Sequence, residues 1–348
     1  MSNFVSYRIT NIRTNTSFQC ENNESVIDAA LRDQRIYPYG CRNGSCGACK
    51  TKLINGEVDH GNYAEHALTA IEKNQGMVLL CQAHPLCDIE IDVEEIRSST
   101  DIRIKMMPCR ITRLDPVAQD VMLMSLAIPK GQQFHFLPGQ YIDIVLRDGQ
   151  RRSFSISNLP HEAVETGLEL HVRRVPDGRF TSRVFGGLRL RDLLRFEGPF
   201  GTYFLNSEPD TKLLMIAGGT GFAPIMALIK QALDRHPETR IHLFWGARDE
   251  QDLYMNDWIL NRLHNHSGLQ YTPVLSDRWP EDWQGETGFV HEAVCRHYNN
   301  VSGFDVYASG PPIMVDCVRD HLLGQGMNPD RFHFDSFEFA PRNSNSAK

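Results

Sequence analysis

The sequence predicts a protein of several domains, in which a small α+β domain is followed by an antiparallel β-barrel and a doubly wound α/β domain. The 348 residues are too many for a single hydrophobic core. Short runs of alternating apolar and polar residues between Cys109 and Leu205 predict antiparallel strands, whereas alternating strand and helix patterns from Thr211 onward predict a parallel sheet. We expect domains at residues 1–96, 108–206 and 207–340, a linker at 97–107 and a disordered tail at 341–348.

The composition is that of an ordinary globular protein, with 41% hydrophobic and 23% charged residues. A formal net charge of −7 argues against nucleic-acid binding. The N-terminus lacks the basic and apolar regions of a signal peptide, and no apolar run approaches the roughly 20 residues that span a bilayer. Nine cysteines without such a signal indicate a reducing compartment. We therefore expect a cytoplasmic protein with no membrane span and no nucleic-acid partner.

The first domain shows strand and helix signals in close succession. Residues 4–20 predict two short strands, and Ser25 is the expected N-cap of an apolar-periodic helix that begins at Val26. A strand is expected at Lys50–Ile54, and the alternation of apolar and polar residues at 89–93 predicts another. These elements describe a small α+β domain of about 95 residues.

Four cysteines in this domain have the spacing of metal ligands. Cys41, Cys46 and Cys49 are spaced C-x4-C-x2-C and Cys81 follows downstream, which is the pattern of a plant-type [2Fe–2S] cluster in a ferredoxin-like (β-grasp) domain. Each iron needs two thiolates, so Cys81 completes the set. Structural zinc usually shows two separated ligand pairs, and Cys81 has no second cysteine at that spacing. A disulfide framework belongs to small secreted domains. The remaining cysteines are expected to be buried small hydrophobic residues: Cys20, Cys87, Cys109, Cys295 and Cys317.

The second and third domains each repeat one pattern. Ile142, Ile144 and Leu146 alternate with other residues, and turn signals such as Asp148-Gly149 separate the runs, so an antiparallel barrel made of strands alone is expected. Four strand–helix pairs of the third domain are expected at 212–217 and 224–233, 240–246 and 253–263, 271–275 and 290–298, and 305–308 and 312–323.

A polar motif ends one strand of the predicted barrel. Taken alone, Arg152-Ser-Phe-Ser155-Ile-Ser-Asn158 is an arginine with three hydroxyls on a strand. Together with Pro138-Gly-Gln-Tyr141, it resembles the FAD-binding barrel of the ferredoxin–NADP reductase superfamily. The resemblance implies that Arg152 holds a flavin phosphate, that Phe154 packs on the isoalloxazine and that Ser155 hydrogen-bonds near flavin N5. A planar, bidentate guanidinium suits a diphosphate.

Two further segments match the flavin-binding part of this family. Gly178-Arg-Phe-Thr181 resembles its G-x-x-[ST] element, which implies that backbone N–H groups and a hydroxyl bind the pyrophosphate at a helix start. His171, Val172 and Arg173 lie where the family's strand runs along the FAD, although they could equally be plain strand residues.

A glycine-rich turn follows the first buried strand of the third domain. Gly218-Gly219-Thr220-Gly221 leads to Pro224 at the start of a helix, which is the context of a dinucleotide loop, although a tight strand–helix connection would look the same. The resemblance implies that this loop receives the pyrophosphate of a pyridine nucleotide.

The resemblance also assigns residues beside the nicotinamide. Ala308-Ser-Gly-Pro-Pro312 is similar to the family's C-G-P-P segment, with Ser309 in place of a common cysteine and with Gly310 and Pro311 as nucleotide contacts. Phe337 corresponds to an aromatic ring over the flavin, or else to a core residue of an edge strand. Ser155, Ser309 and Phe337 are thus the candidate catalytic residues.

The choice of nucleotide depends on the loop after the second strand of this domain. Arg248 could favour a 2′-phosphate, whereas Asp249, Glu250 and Asp252 oppose one and could bind a free 2′-hydroxyl. Three carboxylates against one guanidinium favour NADH over NADPH, and a solvated acidic loop is the alternative.

The order of the motifs predicts a chain of redox groups. It resembles reductases of the oxygenase-reductase type, which implies that electrons pass from NAD(P)H to FAD, to the [2Fe–2S] cluster and then to a partner protein that docks transiently, either an oxygenase component or a deoxysugar dehydrase. A free-standing NAD(P)H:flavin or quinone reductase is the enzymatic alternative. A redox-sensing module without turnover is the non-catalytic one.

Overall fold

The structure is a computed structural model that describes residues 5–96, 102–208 and 210–337. The chain divides into two compact units between Arg103 and Ile104. Residues 97–101 of the predicted linker and the predicted tail at 341–348 lie outside the described residues. The first strand of the second unit begins at Lys105, so the predicted linker overlaps a strand.

The first unit is an α+β fold around a five-stranded sheet. Its elements are β1 (Ser6–Asn11), β2 (Thr16–Glu21), α1 (Val26–Arg32), β3 (Lys50–Asn55), β4 (Val58–Asp59), α2 (Ala70–Asn74), β5 (Met77–Leu79), β6 (His84–Pro85) and β7 (Ile89–Asp92). The sheet order is β2-β1-β7-β3-β5, and β4 pairs with β6. Ser25 caps α1 as expected, because its hydroxyl accepts the N–H of Asp28.

Helix α2 is held by a capping box. The Thr69 hydroxyl accepts the Glu72 N–H, and the Glu72 carboxylate accepts the Thr69 N–H. Lys50 donates to Glu72 over 2.7 Å. Burial raises the pKa of Glu72, but the bonds from Lys50 and Thr69 outweigh it and lower that pKa to about 2. The carboxylate therefore stabilises the first turn of this helix.

The first part of the second unit is a six-stranded antiparallel barrel. Its elements are β8 (Lys105–Ala118), β9 (Val121–Ala127), β10 (Tyr141–Val145), β11 (Arg151–Ser155), α3 (Pro160–Thr166), β12 (Leu168–Arg173), α4 (Arg179–Gly186) and β13 (Leu193–Phe200). The order is β11-β10-β13-β8-β9-β12, and a bridge between Ile156 and Leu170 joins the two ends of this order. The closed sheet surrounds a core that includes Ile142, Ile144 and Phe196.

The expectation of strands alone in this part of the chain was wrong, since two helices interrupt them. Helix α3 buries only Ala163, so its seven residues carry no apolar period. Helix α4 has eight residues and buries Phe180, Thr181 and Val184, which is too short a stripe to distinguish from a strand.

The rest of the second unit is a doubly wound α/β fold. Its elements are β14 (Lys212–Gly218), α5 (Phe222–Arg235), β15 (Ile241–Ala247), α6 (Asn256–Leu263), β16 (Leu269–Leu275), β17 (Glu286–Thr287), α7 (Val290–His297), β18 (Phe304–Gly310), α8 (Pro312–Gly324) and β19 (Phe332–Ser336). All strand pairs are parallel, in the order β17-β16-β15-β14-β18-β19. The chain therefore reverses direction across the sheet at β14, and ligands of such folds bind at the carboxyl ends of the strands there.

Helices α6 and α5 show two further features of this fold. Helix α6 begins at Asn256 rather than at Leu253, because residues 250–252 form a separate 3₁₀ turn. Lys230 of α5 forms an ion pair with Glu162 of α3 at 2.9 Å, which links the α/β fold to the barrel within the second unit. Within the described ranges, no helix combines the length and the hydropathy needed to cross a membrane.

Candidate functional site

The four predicted cluster cysteines come together as two interacting thiol pairs. The Cys41 sulfur accepts the N–H groups of Ser45 and Cys46, each at 3.3 Å. A hydrogen bond with the Cys46 thiol, supported by backbone N–H groups, lowers the pKa of Cys41 to about 6. A hydrogen bond with Cys81 and burial raise the pKa of Cys49. Cys41 thus pairs with Cys46, and Cys49 pairs with Cys81.

This pairing fits a two-iron cluster better than a single metal ion. Structural zinc needs four ligands around one ion, whereas each iron of a [2Fe–2S] cluster takes two thiolates. Gly44 has φ +80° in the cysteine loop, and a Cβ there would lie 2.7 Å from the Asn62 carbonyl oxygen. Only glycine therefore suits this tight loop.

The other five cysteines only partly follow the prediction. Cys20 and Cys109 are buried as expected, and burial raises the pKa of each thiol to about 12. Cys87, Cys295 and Cys317 are only half-buried, so the expectation of burial was wrong for them. Cys87 follows the short strand β6, and the other two lie on helices α7 and α8, where one side of the element faces solvent.

The predicted flavin-phosphate arginine lies on strand β11. Arg152 is half-buried, and its guanidinium donates to the Arg151 carbonyl oxygen at 2.7 Å and to Gln150 Oε1 at 2.9 Å. No ion pair involves Arg152 within the described part of the chain, so its charge is not neutralised there. The Phe154 ring packs at 5.4 Å from that of Phe180, the second residue of α4.

The three predicted catalytic residues lie along one path between two sheets. The Ser155 hydroxyl donates to Asp335 Oδ2 at 3.2 Å, which connects β11 of the barrel to β19. Asp335 is opposite Ser309 in the register of β18 and β19. Ser309 is fully buried, and its Oγ has no hydrogen-bond partner among the described residues. The Phe337 N–H donates to the Gly310 carbonyl oxygen at 3.3 Å.

Asp335 is the functional candidate that sequence reasoning missed. The residue is 8% exposed, and its carboxylate contacts Ser155, which lies 180 residues earlier in the chain. A single aspartate on a predicted edge strand carries no local signal of such a contact. The contact becomes apparent only in the structure, where β11 of the barrel lies next to β19 of the α/β fold.

The three candidates on strand β12 have different surroundings. The His171 side chain is fully buried and hydrogen-bonded through Nδ1 to the Tyr254 hydroxyl at 2.8 Å, and burial lowers the pKa of its imidazole. Val172 is part of the barrel core. A ligand could reach these two residues only through their backbone atoms. The Arg173 guanidinium lies 3.6 Å from the position of a Cβ on Gly219, so it is against the glycine-rich loop.

The predicted pyrophosphate turn of the barrel opens helix α4. Gly178 is the N-cap, and Thr181 Oγ1 accepts the Val175 N–H at 3.1 Å. A Cβ on Gly178 would lie 2.4 Å from Thr181 Oγ1. The turn therefore requires glycine and holds the threonine hydroxyl against the backbone.

The glycine-rich loop of the α/β fold joins β14 to α5 and packs on the end of β18. Gly219 has φ +54°, and its carbonyl oxygen accepts the Trp245 indole N–H at 3.0 Å. A Cβ on Gly221 would lie only 2.1 Å from the Ser309 carbonyl oxygen. The backbone of the glycine-rich loop is therefore in direct contact with the backbone at the end of β18. Thr220 is half-exposed, Pro224 lies in the first turn of α5, and Pro311 is the N-cap of α8.

Four charged residues beside this loop alternate in sign, and we call them the Asp–Arg ring: Asp120, Arg173, Asp252 and Arg248. Arg173 pairs with Asp120 at 3.4 Å and with Asp252 at 3.8 Å. Arg248 pairs with Asp252 at 3.2 Å and with Asp120 at 3.7 Å. Both carboxylates raise the pKa of Arg248, Asp252 more than Asp120. The contribution of Asp120, at the β8–β9 turn, was not expected from the sequence.

Comparison with known domain families matches three segments in the same order as the motifs. Residues 9–86 match the 2Fe-2S iron-sulfur cluster binding domain, residues 108–204 the oxidoreductase FAD-binding domain, and residues 215–320 the oxidoreductase NAD-binding domain. The predicted fold class and the three types of binding domain are thereby confirmed.

Similar proteins span nearly the whole chain. The CDP-6-deoxy-L-threo-D-glycero-4-hexulose-3-dehydrase reductase of Yersinia pseudotuberculosis is 36% identical over 324 residues, covering 92% of this chain and 95% of that protein. Reductase component 1 of terephthalate 1,2-dioxygenase from Comamonas sp. is 34% identical, covering 94% and 96%. The crystal structure of the Amycolatopsis cytochrome P450 reductase GcoB has a TM-score of 0.80 at 31% identity, covering 95% and 98%.

The dehydrase reductase agrees with a likeness visible in the cluster domain. The segments Tyr39–Cys49 and Gly56–Gly61 resemble those of CDP-6-deoxy-Δ3,4-glucoseen reductase, the electron donor in 3-deoxysugar formation. The chain belongs to the oxygenase-reductase type of the ferredoxin–NADP reductase superfamily, the NAD(P)H-dependent electron-transfer reductases that join a plant-type [2Fe–2S] domain to FAD-binding and NAD-binding domains.

Proposed function

We propose that this reductase takes electrons from NADH and delivers them to a deoxysugar dehydrase that docks transiently. The relative at 36% identity over 92% of the chain is a dehydrase reductase, and the cluster segment resembles that class. An oxygenase component is the second candidate partner, because the relatives also include dioxygenase reductases at 34% identity over 94% of the chain. When bound, FAD supplies hydride acceptance and the cluster supplies one-electron transfer.

The observation that carries the one-electron step of this proposal is the pairing of the four thiols. Cys41 and Cys46 would bind one iron, and Cys49 and Cys81 the other, since the thiols of each pair already interact. The N–H groups of Ser45 and Cys46 that point at the Cys41 sulfur would stabilise its thiolate form. These contacts support the assignment of two cysteine ligands to each iron.

On the barrel, we assign the flavin-binding roles to the residues of the two sequence motifs. Arg152 would hold flavin phosphate with a guanidinium that no carboxylate neutralises among the described residues. Phe154 would pack on the isoalloxazine, and Gly178 with Thr181 would hold the pyrophosphate at the start of α4. The buried side chains of His171 and Val172 leave only their backbone groups for this purpose.

At the carboxyl end of the sheet, the chain presents a nucleotide site. Residues 218–221 and Pro224 would receive the pyrophosphate at the N-terminus of α5, with Gly310 and Pro311 beside the nicotinamide. We assign the Arg173 side chain to this site rather than to FAD, because it lies against Gly219.

The hydroxyl pair at this edge would orient the reacting groups. Asp335 accepts the Ser155 hydroxyl proton in a hydrogen bond, so it fixes the direction of that hydroxyl near the flavin position. The buried Ser309 Oγ lacks a partner among the described residues, which suits a group that acquires one when the nucleotide binds. Phe337 would cover the flavin from the end of β19.

The setting proposed for this reductase is the cytoplasm. None of the nine cysteines, all of which lie in the described ranges, forms a disulfide, which is the state expected in a reducing compartment. A small interface would be sufficient for transient docking of the dehydrase.

Replacement of one cluster ligand tests the proposed order of electron transfer. We expect the Cys46→Ser variant to keep NADH-driven bleaching of the flavin absorption under anaerobic conditions and to lose cytochrome c reduction. The matched control is Cys87→Ser, because Cys87 is a half-buried thiol of the same unit outside the two pairs. Cytochrome c reduction by Cys46→Ser at the wild-type rate would show that electrons do not need the cluster.

The partner is tested with purified acceptors. The reductase is expected to support NADH-dependent turnover of a deoxysugar dehydrase and not of a dioxygenase oxygenase component. Turnover of the oxygenase alone would favour the second candidate. Rapid reduction of free flavin or quinone that survives Cys46→Ser, with neither partner turned over, would favour a free-standing reductase. The absence of steady NADH oxidation with every acceptor would favour a redox-sensing module.

A further inference from the structure

The Asp–Arg ring is built from both folds of the second unit. Asp120 belongs to the β8–β9 turn and Arg173 to β12 of the barrel, whereas Arg248 and Asp252 follow β15 of the α/β fold. Each arginine lies within 4 Å of both aspartates. With two positive and two negative charges, the ring has no net charge.

Partial burial strengthens the electrostatic attraction within these ion pairs. The Asp252 side chain is 11% exposed and that of Asp120 is 28% exposed, so salt screens them less than charges in open solvent. Asp120 Oδ1 and two nitrogens of Arg173 are buried without a hydrogen-bond partner among the described residues. Within the ring, Arg248 Nε donates a hydrogen bond to Asp252 Oδ2 at 3.2 Å, whereas Asp120 faces both arginines as an ion pair.

Arg248 occupies the place where the adenosine ribose of a dinucleotide is recognised. It directly follows β15, which runs parallel to β14 and ends beside the glycine-rich loop. In such folds an acidic residue in this region binds a 2′-hydroxyl, and an arginine accommodates a 2′-phosphate. Its side chain is 61% exposed, so a nucleotide could reach it.

We propose that Asp120 and Asp252 determine nucleotide specificity by occupying the Arg248 guanidinium, so that it does not serve a 2′-phosphate. An incoming 2′-phosphate would meet two carboxylates beside an arginine that is already paired. Asp120 would exert this selection from the barrel, outside the nucleotide-binding fold. The inference deepens the proposed use of NADH and rests on it.

A second cation at this edge does not account for the selection. Arg278 follows β16, is 85% exposed and lies 3.6 Å from Asp249. An ion pair in open solvent is weak, so Asp249 does not withhold Arg278 strongly from a phosphate. Arg248 differs from Arg278 in lying within 4 Å of two carboxylates, of which that of Asp252 belongs to a side chain only 11% exposed.

Binding of nucleotide fragments tests the proposal without turnover. Calorimetry on the FAD-loaded full chain would compare adenosine 2′,5′-bisphosphate with adenosine 5′-monophosphate. For Asp120→Asn and for Asp252→Asn we expect about tenfold tighter binding of the bisphosphate than in the wild type, since a charge-assisted hydrogen bond becomes available. The matched control is Asp115→Asn, because Asp115 pairs with Arg113 on the same strand β8 outside the ring.

Double variants establish which arginine is responsible. The gain is expected to vanish in Asp120→Asn/Arg248→Gln and to persist in Asp120→Asn/Arg278→Gln. Unchanged bisphosphate affinity in Asp120→Asn, or a gain that survives removal of Arg248, would overturn the proposal. Because Asp120 lies in a turn and is more exposed than Asp252, the Asp120→Asn variant keeps the test decisive where Asp252→Asn fails to fold. Flavin reduction of the wild type by NADH, measured separately, reports on the proposed function itself.

Discussion

Gly221 is the position at which one methyl group should disable the nucleotide loop. Its φ of −57° and ψ of −13° are open to any residue, so a substitution causes no backbone strain. A Cβ would, however, lie 2.1 Å from the Ser309 carbonyl oxygen and 2.5 Å from its carbonyl carbon. Ordinary contacts begin at about 3.4 Å, so the loop and the end of β18 must separate by about 1.3 Å, which is 3.4 minus 2.1. Backbone atoms cannot rotate away as a side chain would.

The expected effect of Gly221→Ala is large because the displaced segment is the one that we propose to receive the nucleotide. Overpacking of this kind costs about 1–3 kcal/mol of stability. A misplacement of about 1 Å can lower a rate by about 100-fold. We therefore expect kcat/KM for flavin reduction by NADH to fall by about 100-fold, while the flavin and cluster absorption bands remain.

Anaerobic stopped-flow reduction of the flavin at varied NADH concentration measures this effect. The matched control is Gly324→Ala, because a Cβ on this last residue of α8 meets no atom within 4 Å. A Gly221→Ala variant with the wild-type kcat/KM would refute the reasoning, since the loop would then tolerate a shift of more than 1 Å. Equal losses in both variants would show a general effect of alanine.

Three further substitutions have expected outcomes. Asp335→Asn removes the charge that strengthens the Ser155 hydrogen bond, so flavin reduction should slow by about tenfold in stopped-flow measurements. Tyr254→Phe leaves the buried His171 Nδ1 without its hydroxyl partner, so the free energy of unfolding of the second unit should fall by about 1–3 kcal/mol in urea denaturation. The Glu72 pKa is lowered from 4.5 to about 2 in the folded chain, so its contribution is complete above pH 4.5 and is lost as the pH falls toward 2. Glu72→Gln should therefore speed amide exchange of helix α2 at pH 7, as followed by mass spectrometry.

A specific result would contradict each of these three predictions. Wild-type flavin reduction in Asp335→Asn would mean that the carboxylate does not orient the serine. Unchanged urea denaturation in Tyr254→Phe would mean that the buried imidazole finds another partner. Equal amide exchange in Glu72→Gln and the wild type would mean that the capping box does not stabilise α2.

Local signals in the sequence predicted most of the fold. Ser25 was recognised as a helix N-cap because a serine hydroxyl just before an apolar-periodic segment commonly accepts a backbone N–H of the first helical turn. The parallel strands were recognised from continuous apolar runs such as residues 212–217, which the structure places in the centre of the sheet. Helix α3 was missed, since seven residues are too few to display a helical period, and α4 was indicated only by the helix start that the family resemblance implied at Gly178–Thr181.

Contacts between distant segments could not be predicted in the same way. Asp335 was missed because nothing near it in the chain indicates the hydrogen bond with Ser155. Arg173 was expected at the flavin, and only the packing of β12 on the glycine-rich loop brings it to Gly219. The cluster cysteines were identifiable because their spacing alone carries the signal. The roles of the individual site residues remain predictions.

Because the Asp–Arg ring takes residues from both the barrel and the α/β fold, it affects how domains of such reductases can be exchanged. A chimera cut near residue 206 would take Arg248 and Asp252 from one parent and Asp120 and Arg173 from the other. If the second parent lacks the two barrel charges, the transplanted nucleotide domain would keep its own loop and lose half of the ring. A functional module for exchange between these enzymes is therefore the domain together with the β8–β9 turn and the end of β12. Engineers who change nucleotide preference by grafting the α/β fold alone would be transferring an incomplete specificity determinant.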